Sequence, residues 1–163
     1  MKLLYAMTIS VVFAVGAGAV VTQDFDKGVA AYRAGDYAAA VKSWCPLAEQ
    51  RDAYAQYNLG VMYDDGAGVL QDYVECVEWN RLAAEQRIAP AQNNLAIMHY
   101  YGKGVLQDNV RAHMWYNIVS ANGYKVAGKW RDKSVETMTS AAIFEAQKMA
   151  QECMGSNYKK CGW

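Results

Sequence analysis

Few residues of this sequence have the types and spacing that chemistry would need. The two histidines, His99 and His113, stand 14 positions apart without a matched carboxylate motif, which is a poor basis for a metal site. Asp64 and Asp65 are adjacent, and neighbouring residues of a helix point about 100° apart, so they do not form a catalytic pair. Ser134 stands outside any G-x-S-x-G context. We therefore expect no catalytic residue, no metal ligand and no cofactor.

The N-terminal segment differs from the rest of the chain. After Lys2 it is uncharged and apolar, and it ends in the small residues Ala17-Gly18-Ala19. This order predicts a secretory signal over residues 1–19, cleaved after Ala19. The alternative is an uncleaved membrane anchor, because residues 3–21 approach a spanning length, although no basic flank follows them. Either interpretation places the remaining chain, residues 20–163, outside the cytoplasm, as a periplasmic or secreted protein.

Four cysteines then stand in an oxidising compartment, where disulfides form. Four cysteines allow three pairings. We favour Cys153–Cys161, which are close in sequence near the C-terminus, and this leaves Cys45 and Cys76 as a candidate second pair. The alternative for Cys45 and Cys76 is that they are free thiols packed as small apolar residues.

Charge argues against one class of partner. The chain has 16 Lys and Arg residues against 16 Asp and Glu residues. A broad nucleic-acid-binding face would show as a basic excess, so no nucleic-acid partner is expected.

An internal repeat organises the middle of the chain. The pentapeptide G-V-L-Q-D occurs at 68–72 and again at 104–108, and residues 55–84 match residues 91–120 at 13 of 30 positions without a gap. A fixed period of this length is typical of stacked helical repeats. We assign repeat 1 to residues 51–86 and repeat 2 to residues 87–122, with a partial unit at 25–50 and a C-terminal cap at 123–163.

Each repeat is predicted to contain two helices joined by the G-V-L-Q-D loop. The first helix should stop at Gly66, because glycine adopts the left-handed conformation that ends helices. Asp72 should cap the second helix, and Glu75 completes a capping-box pattern with it. In the cap, a helix should begin at Thr139 or Ser140. The predicted fold class is all-α, a solenoid of antiparallel helix pairs with a C-terminal capping helix.

These residues resemble the Sel-1-like repeat, a relative of the tetratricopeptide repeat, in its small exported bacterial form. The positions that fit its pattern in repeat 1 include Ala55, Leu59, Tyr63, Gly66, Gly68, Asp72 and Trp79. Departures are Arg51 and Arg87, where the family usually has glycine, and His99, where it has tyrosine.

The resemblance implies a non-catalytic scaffold that binds a protein or peptide on the concave face formed by the first helix of each unit, in envelope signalling or regulation. A membrane is a partner only if the N-terminal segment is retained. Two alternatives stay open: a module that binds peptidoglycan or another carbohydrate, and an envelope hydrolase. The concave face is expected to contain Tyr54, Tyr57, Val61, Asp64, Asp65, Asn93, Ile97, Tyr100 and Tyr101. For each tyrosine the alternative is packing against a neighbouring helix.

Overall fold

A computed structural model describes residues 17–162, apart from the side chains of residues 17–23 and 126. The predicted signal segment therefore lies outside the described residues except for its last three. Within 17–162, no helix is long and apolar enough to cross a membrane.

The described residues form helices without any strand. The helices are α1 (Ala17–Arg33), α2 (Tyr37–Glu49), α3 (Ala53–Asp65), α4 (Tyr73–Glu85), α5 (Ala89–Tyr101), α6 (Asn109–Ala121), α7 (Lys125–Ser134) and α8 (Ser140–Gly155), with a 3₁₀ turn at Val135–Thr137. The pairs α1–α2, α3–α4 and α5–α6 pack against each other, and each second helix also packs against the next first helix. This is the all-α solenoid that the sequence predicts. Helix α8 packs on α6 and closes the end of the array.

The first helix of each repeat ends as predicted. Gly66 and Gly102 both take left-handed conformations, with φ of 67° and 68°. The glutamine of each G-V-L-Q-D loop then closes the turn: Gln71 Nε2 donates to the Asp64 carbonyl at 2.6 Å, and Gln107 Nε2 donates to the equivalent carbonyl in repeat 2 at 3.0 Å. The loop glutamine therefore satisfies helix-end carbonyls that would otherwise lack a partner.

The second glycine of each loop permits a close contact between units. A Cβ added to Gly68 would lie 2.5 Å from the carbonyl carbon of Tyr37, the first residue of α2, and one added to Gly104 would come closer still to the carbonyl of Tyr73 in α4. Both contacts are with backbone, which has little freedom to move aside. The loop of one unit thus rests on the start of the second helix of the preceding unit.

The aspartate cap is confirmed, but the reciprocal half of the capping box is not. Asp72 accepts from the backbone N–H groups of Val74 (2.9 Å) and Glu75 (3.2 Å). The prediction that Glu75 completes a capping box is wrong, because the Asp72 N–H donates to the Tyr63 carbonyl at 3.0 Å. Its donor is used to hold the loop against the first helix and is not available to Glu75.

Glutamine amides connect consecutive units inside the array. Gln56 Nε2 donates to the Ala48 carbonyl at 3.0 Å, and Gln92, one period later, donates to the Ala84 carbonyl at 3.1 Å. The side chain of Gln86 donates in turn to Gln56 Oε1 at 2.8 Å. Buried amides need such partners, so these bonds fix the spacing between neighbouring helix pairs.

The turns between units place non-glycine residues in left-handed backbone. Arg51 has φ of 69° and Arg87 has φ of 66°, while Gly123 occupies the third equivalent turn with φ of 87°. Residues with a Cβ rarely adopt this conformation, because the Cβ approaches the following carbonyl. The two arginines therefore introduce local strain where the resemblance leads one to expect glycine.

The C-terminal cap is fixed by a disulfide between Cys153 at the end of α8 and Cys161. Between them, the buried Tyr158 accepts a hydrogen bond from Asn122 Nδ2 at 3.0 Å, and the Arg87 guanidinium lies over its ring at 5.3 Å. The cap is thus attached to both turns that flank repeat 2.

Cys45 and Cys76 are free thiols in the structure, so the candidate second disulfide is not formed. The physical reason is that the two thiols lie in different parts of the core. The Cys76 thiol lies 3.8 Å from the Met98 sulfur and 3.3 Å from Asn80 Nδ2, inside the core around repeat 2. Cys45 packs at the edge of a separate cluster around α2 and α3. Burial raises the pKa of Cys76 to about 12, so its thiol is protonated at neutral pH.

Candidate functional site

Within the described residues a serine and a histidine are in contact, and both are buried. His113 Nδ1 and Ser134 Oγ are 2.7 Å apart, and Ser134 Oγ also donates to the Arg131 carbonyl at 2.6 Å. The two side chains are 3% and 0% exposed. The pair connects α6 to α7. A nucleophile must be reached by substrate, and these two buried side chains are not accessible to one. This contact was not predictable from the sequence, because the partners are 21 residues apart on separate helices.

The two histidines do not share a site. His99 lies in α5 and His113 contacts α7, and no group of three or more metal-binding side chains occurs among the described residues 17–162.

The residues predicted for the concave face lie on α3 and α5. We call this surface, together with the parts of α1 and α7 beside it, the first-helix face. Tyr57 and Val61 line a cleft of 330 Å³ between α1 and α3, together with Tyr32 and Val29 of α1. Burial, followed by the nearby Tyr124 and Tyr32, raises the pKa of Tyr57. Tyr32 of α1 and Tyr57 of α3 therefore share this cleft.

Two predicted residues from different repeats meet further along the face. Asp64 of α3 and Ile97 of α5 both line a small cavity of 60 Å³, with Lys103 beside them. The cavity offers a carboxylate and an ammonium group around an apolar wall. Residues of both repeats line this cavity, so neither repeat would form it alone.

A second aromatic group lies on α5 and α7. Tyr100 makes edge contacts with Tyr101 at 5.0 Å and with Trp130 at 6.4 Å between ring centroids. The Lys133 ammonium lies over Trp130 at 5.1 Å. Trp130 and Lys133 were not among the predicted residues, because residues 125–134 lack the apolar pattern that predicts a helix.

The remaining predicted residues are placed at the edges or between these groups. Tyr54 is 63% exposed and Tyr101 is 55% exposed, and Asp65 is also exposed. Asn93 is half-buried, and its Oδ1 is a buried acceptor without a partner among the described residues. The hydroxyl of Tyr116, beneath Tyr100 and Tyr101, is likewise buried and unpaired there. The accessible surface thus carries exposed aromatic rings, whereas the two unpaired polar atoms lie below it.

These features define a class of protein: an α-solenoid of helix pairs with a 36-residue period and a glycine-rich loop in each unit. Two stretches, 53–87 and 89–124, match the model of the Sel1 repeat family. The chain belongs to the Sel1 repeat family.

Solved structures agree with this assignment. The chain is similar to a Sel1 repeat protein from Oxalobacter formigenes, with 30% identity and a TM-score of 0.62 over 69% of this chain and 88% of that one. It is also similar to a protective antigen of uropathogenic Escherichia coli strains that displays an SLR fold, with 27% identity and a TM-score of 0.78 over 85% of this chain. The match covers 31% of the antigen structure, so this chain spans about a third of its length. None of the curated proteins matches the chain.

Proposed function

We propose that this chain is a non-catalytic scaffold outside the cytoplasm that binds a protein or peptide segment through the first-helix face, in envelope signalling or regulation. In this proposal residues 20–163 form a single repeat domain. Sel1 repeats in general mediate contacts between proteins, which agrees with the repeat assignment.

The observation that carries the proposal is the arrangement of aromatic side chains on this face. Tyr32 and Tyr57 line the cleft between α1 and α3, and Tyr100 with Trp130 forms the second group. A core does not require this many partly exposed rings, whereas binding surfaces are enriched in tyrosine and tryptophan. Rings with two rotatable bonds bury much area at a small entropic cost, which suits recognition of a peptide.

The disulfide and the predicted signal segment support a location outside the cytoplasm. The Cys153–Cys161 bond lies in a cap that contacts repeat 2, and such bonds persist in oxidising compartments. The similarity to a bacterial protective antigen agrees with a location outside the cytoplasm.

The test is site-specific photo-crosslinking in the native envelope. The photo-reactive residue p-benzoylphenylalanine replaces Tyr57 in one variant and Tyr100 in another, and replaces the exposed Lys42 of α2 in the control. We expect one protein to be captured from both face positions and not from Lys42, and its capture to be lost when Val61→Glu is added. Equal capture from all three positions contradicts the proposal. Capture of glycan fragments alone from the face positions would favour carbohydrate binding instead.

A further inference from the structure

Helix α7 differs in charge from the first helices of the two repeats. Four of its ten residues are basic and one is acidic. Helix α5 has no charged residue apart from the buried, neutral His99, and the charged residues of α3 are the two carboxylates at its end. Since basic and acidic residues balance over the whole chain, the positive charge of α7 is a local concentration.

The 36-residue period places two of these lysines on the first-helix face. Lys129 stands one period after Asn93, and Lys133 stands one period after Ile97, both of which were predicted for this face. The Lys133 ammonium lies over the ring of Trp130 at 5.1 Å, which keeps it beside the aromatic group of α5 and α7. Repeat 2 has uncharged residues at both positions, so the fold does not require lysine at either.

The charges of these two lysines are not compensated within the described part of the chain. Both side chains are exposed, and neither has an ion-pair partner there. The acidic residue of α7, Asp132, pairs with Arg131 at 2.8 Å. Like charges one helical turn apart repel each other. An anionic ligand beside Lys129 and Lys133 would therefore form ion pairs and also relieve this repulsion.

The surroundings of the lysines favour a peptide over other anionic partners. The partly exposed rings of Tyr100 and Trp130 provide an apolar surface next to the ammonium groups. Further along the same face, α3 carries the carboxylates of Asp64 and Asp65. A nucleic acid or an anionic bilayer is negative along its whole length, so these carboxylates would repel it. A peptide can place its acidic residues at α7 alone.

The spacing of the lysines indicates how such a peptide would be arranged. Side chains one helical turn apart have Cβ atoms about 6 Å apart. In an extended peptide, alternate residues point to the same side and lie about 7 Å apart. Two acidic residues at alternate positions therefore match Lys129 and Lys133, and an apolar residue two positions before them reaches the rings of Tyr100 and Trp130.

We propose that the α7 end of the first-helix face is a subsite for an acidic segment of the partner, in which two alternate carboxylates pair with Lys129 and Lys133 and an apolar side chain packs on Tyr100 and Trp130. This inference rests on the proposed function and names the chemistry of the bound segment.

The probe is the peptide acetyl-Leu-Ser-Glu-Ser-Glu-amide, titrated into ¹⁵N-labelled full-length protein and followed by two-dimensional NMR. We expect saturable shifts confined to residues 97–101 and 129–133. A probe with glutamine in place of both glutamates should bind about tenfold more weakly, because two exposed ion pairs are lost. A probe with serine in place of leucine should bind about fivefold more weakly. Raising the NaCl concentration from about 50 mM to about 300 mM should weaken binding of the acidic probe several-fold.

Two double variants with the same change in net charge test the subsite. Lys129→Gln with Lys133→Gln should weaken binding of the acidic probe about tenfold. Lys159→Gln with Lys160→Gln, in the cap, is the control and should leave binding unchanged. All four lysines are exposed, so both variants should fold normally. Unchanged binding in the α7 variant, or an equal loss in the control, overturns the proposal. Vesicles of phosphatidylglycerol that shift the same residues when the peptide does not would overturn it in favour of a lipid surface.

The crosslinking assay separates failure of this inference from failure of the proposed function. With the photo-reactive residue at position 57, capture of the partner should fall when Lys129→Gln and Lys133→Gln are added. Capture that stays unchanged overturns the subsite and leaves the proposed function intact. If the wild-type face captures no protein selectively but the acidic probe binds through the two lysines, the proposed function is wrong and the subsite is supported.

Discussion

Two glycines of the same loop provide a direct test of how the repeats stack. Gly66 and Gly68 both have positive φ, at 67° and 73°, but they differ in what a new Cβ would meet. At Gly66 the nearest atoms would be Gln71 Cβ at 3.2 Å and Gln71 N at 3.3 Å, a tight contact but not an overlap, whereas at Gly68 the nearest atom would be the backbone of Tyr37 at 2.5 Å. The pair therefore separates conformational strain from steric overlap between units.

The expected costs follow from these contacts. Gly66→Ala should lower the free energy of unfolding by about 1 kcal/mol, because alanine in left-handed backbone costs roughly 1–2 kcal/mol and its stiffer unfolded chain recovers part of that. Gly68→Ala has the same strain and also overlaps with the start of α2, which adds about 1–3 kcal/mol. The total for Gly68→Ala is therefore about 2–4 kcal/mol.

Urea unfolding followed by tryptophan fluorescence measures both variants, on oxidised protein so that the cap disulfide is the same in each. The loop of repeat 2 provides an internal replicate, since Gly102 and Gly104 differ in the same way. If Gly68→Ala and Gly104→Ala cost no more than Gly66→Ala and Gly102→Ala, then the loop does not rest on the preceding helix, and the account of the second glycine is wrong.

Three further outcomes are expected. Arg51→Gly should raise the free energy of unfolding by about 0.5 kcal/mol, because glycine adopts the positive φ of this position without strain. Arg87→Gly should not raise it, because this change also removes the contact of Arg87 with Tyr158 in the cap. Parallel urea titrations of the two variants measure the difference. Cys153→Ser should lower the free energy of unfolding by about 2.5 kcal/mol, and with it the melting temperature, because the disulfide closes a loop with a sequence separation of 8. A chemically reduced wild-type sample should have the same melting temperature as the variant. The free energy of unfolding should fall as pH drops below about 6.5, the ordinary pKa of histidine. The reason is that burial lowers the folded-state pKa values of His99 and His113, so the unfolded chain binds more protons than the folded one. His99→Tyr should reduce the difference in the free energy of unfolding between urea titrations at pH 5 and pH 7.

The repeat made the central helices predictable from sequence. Matching positions 36 residues apart identified the glycine ends of α3 and α5 and the aspartate caps of α4 and α6, because these depend on neighbouring residues along the chain. The same period identifies α7 in retrospect, since Gly123 follows Arg87 and Ala127 follows Ala91 by 36 positions. The prediction missed α7 because it relied on an apolar stripe, and the buried side chains described in this short helix are the small residues Ala127 and Ser134.

Contacts between distant segments were not predictable in this way. The loop glutamines bond to carbonyls seven residues earlier, a spacing that matches no standard capping pattern. The association of Arg87 with Tyr158 and of His113 with Ser134 depends on how the cap folds back on repeat 2, which has no counterpart in repeat 1. Tyr32 and Tyr57, which line one cleft, likewise come from different helices, and Tyr32 lies before the recognised repeats.

Differences between the two repeats mark positions at which the shared fold accepts different residues. A residue that both units contain at the same position, such as the loop glycines or Gln56 and Gln92, has the same structural contact in each. Positions that differ have no such shared duty. Tyr63 against His99 is one of them, and the aromatic pair Tyr100-Tyr101 stands where repeat 1 has two aspartates. Because repeat 1 shows that the solenoid folds without these residues, the shared fold alone does not account for their presence in repeat 2.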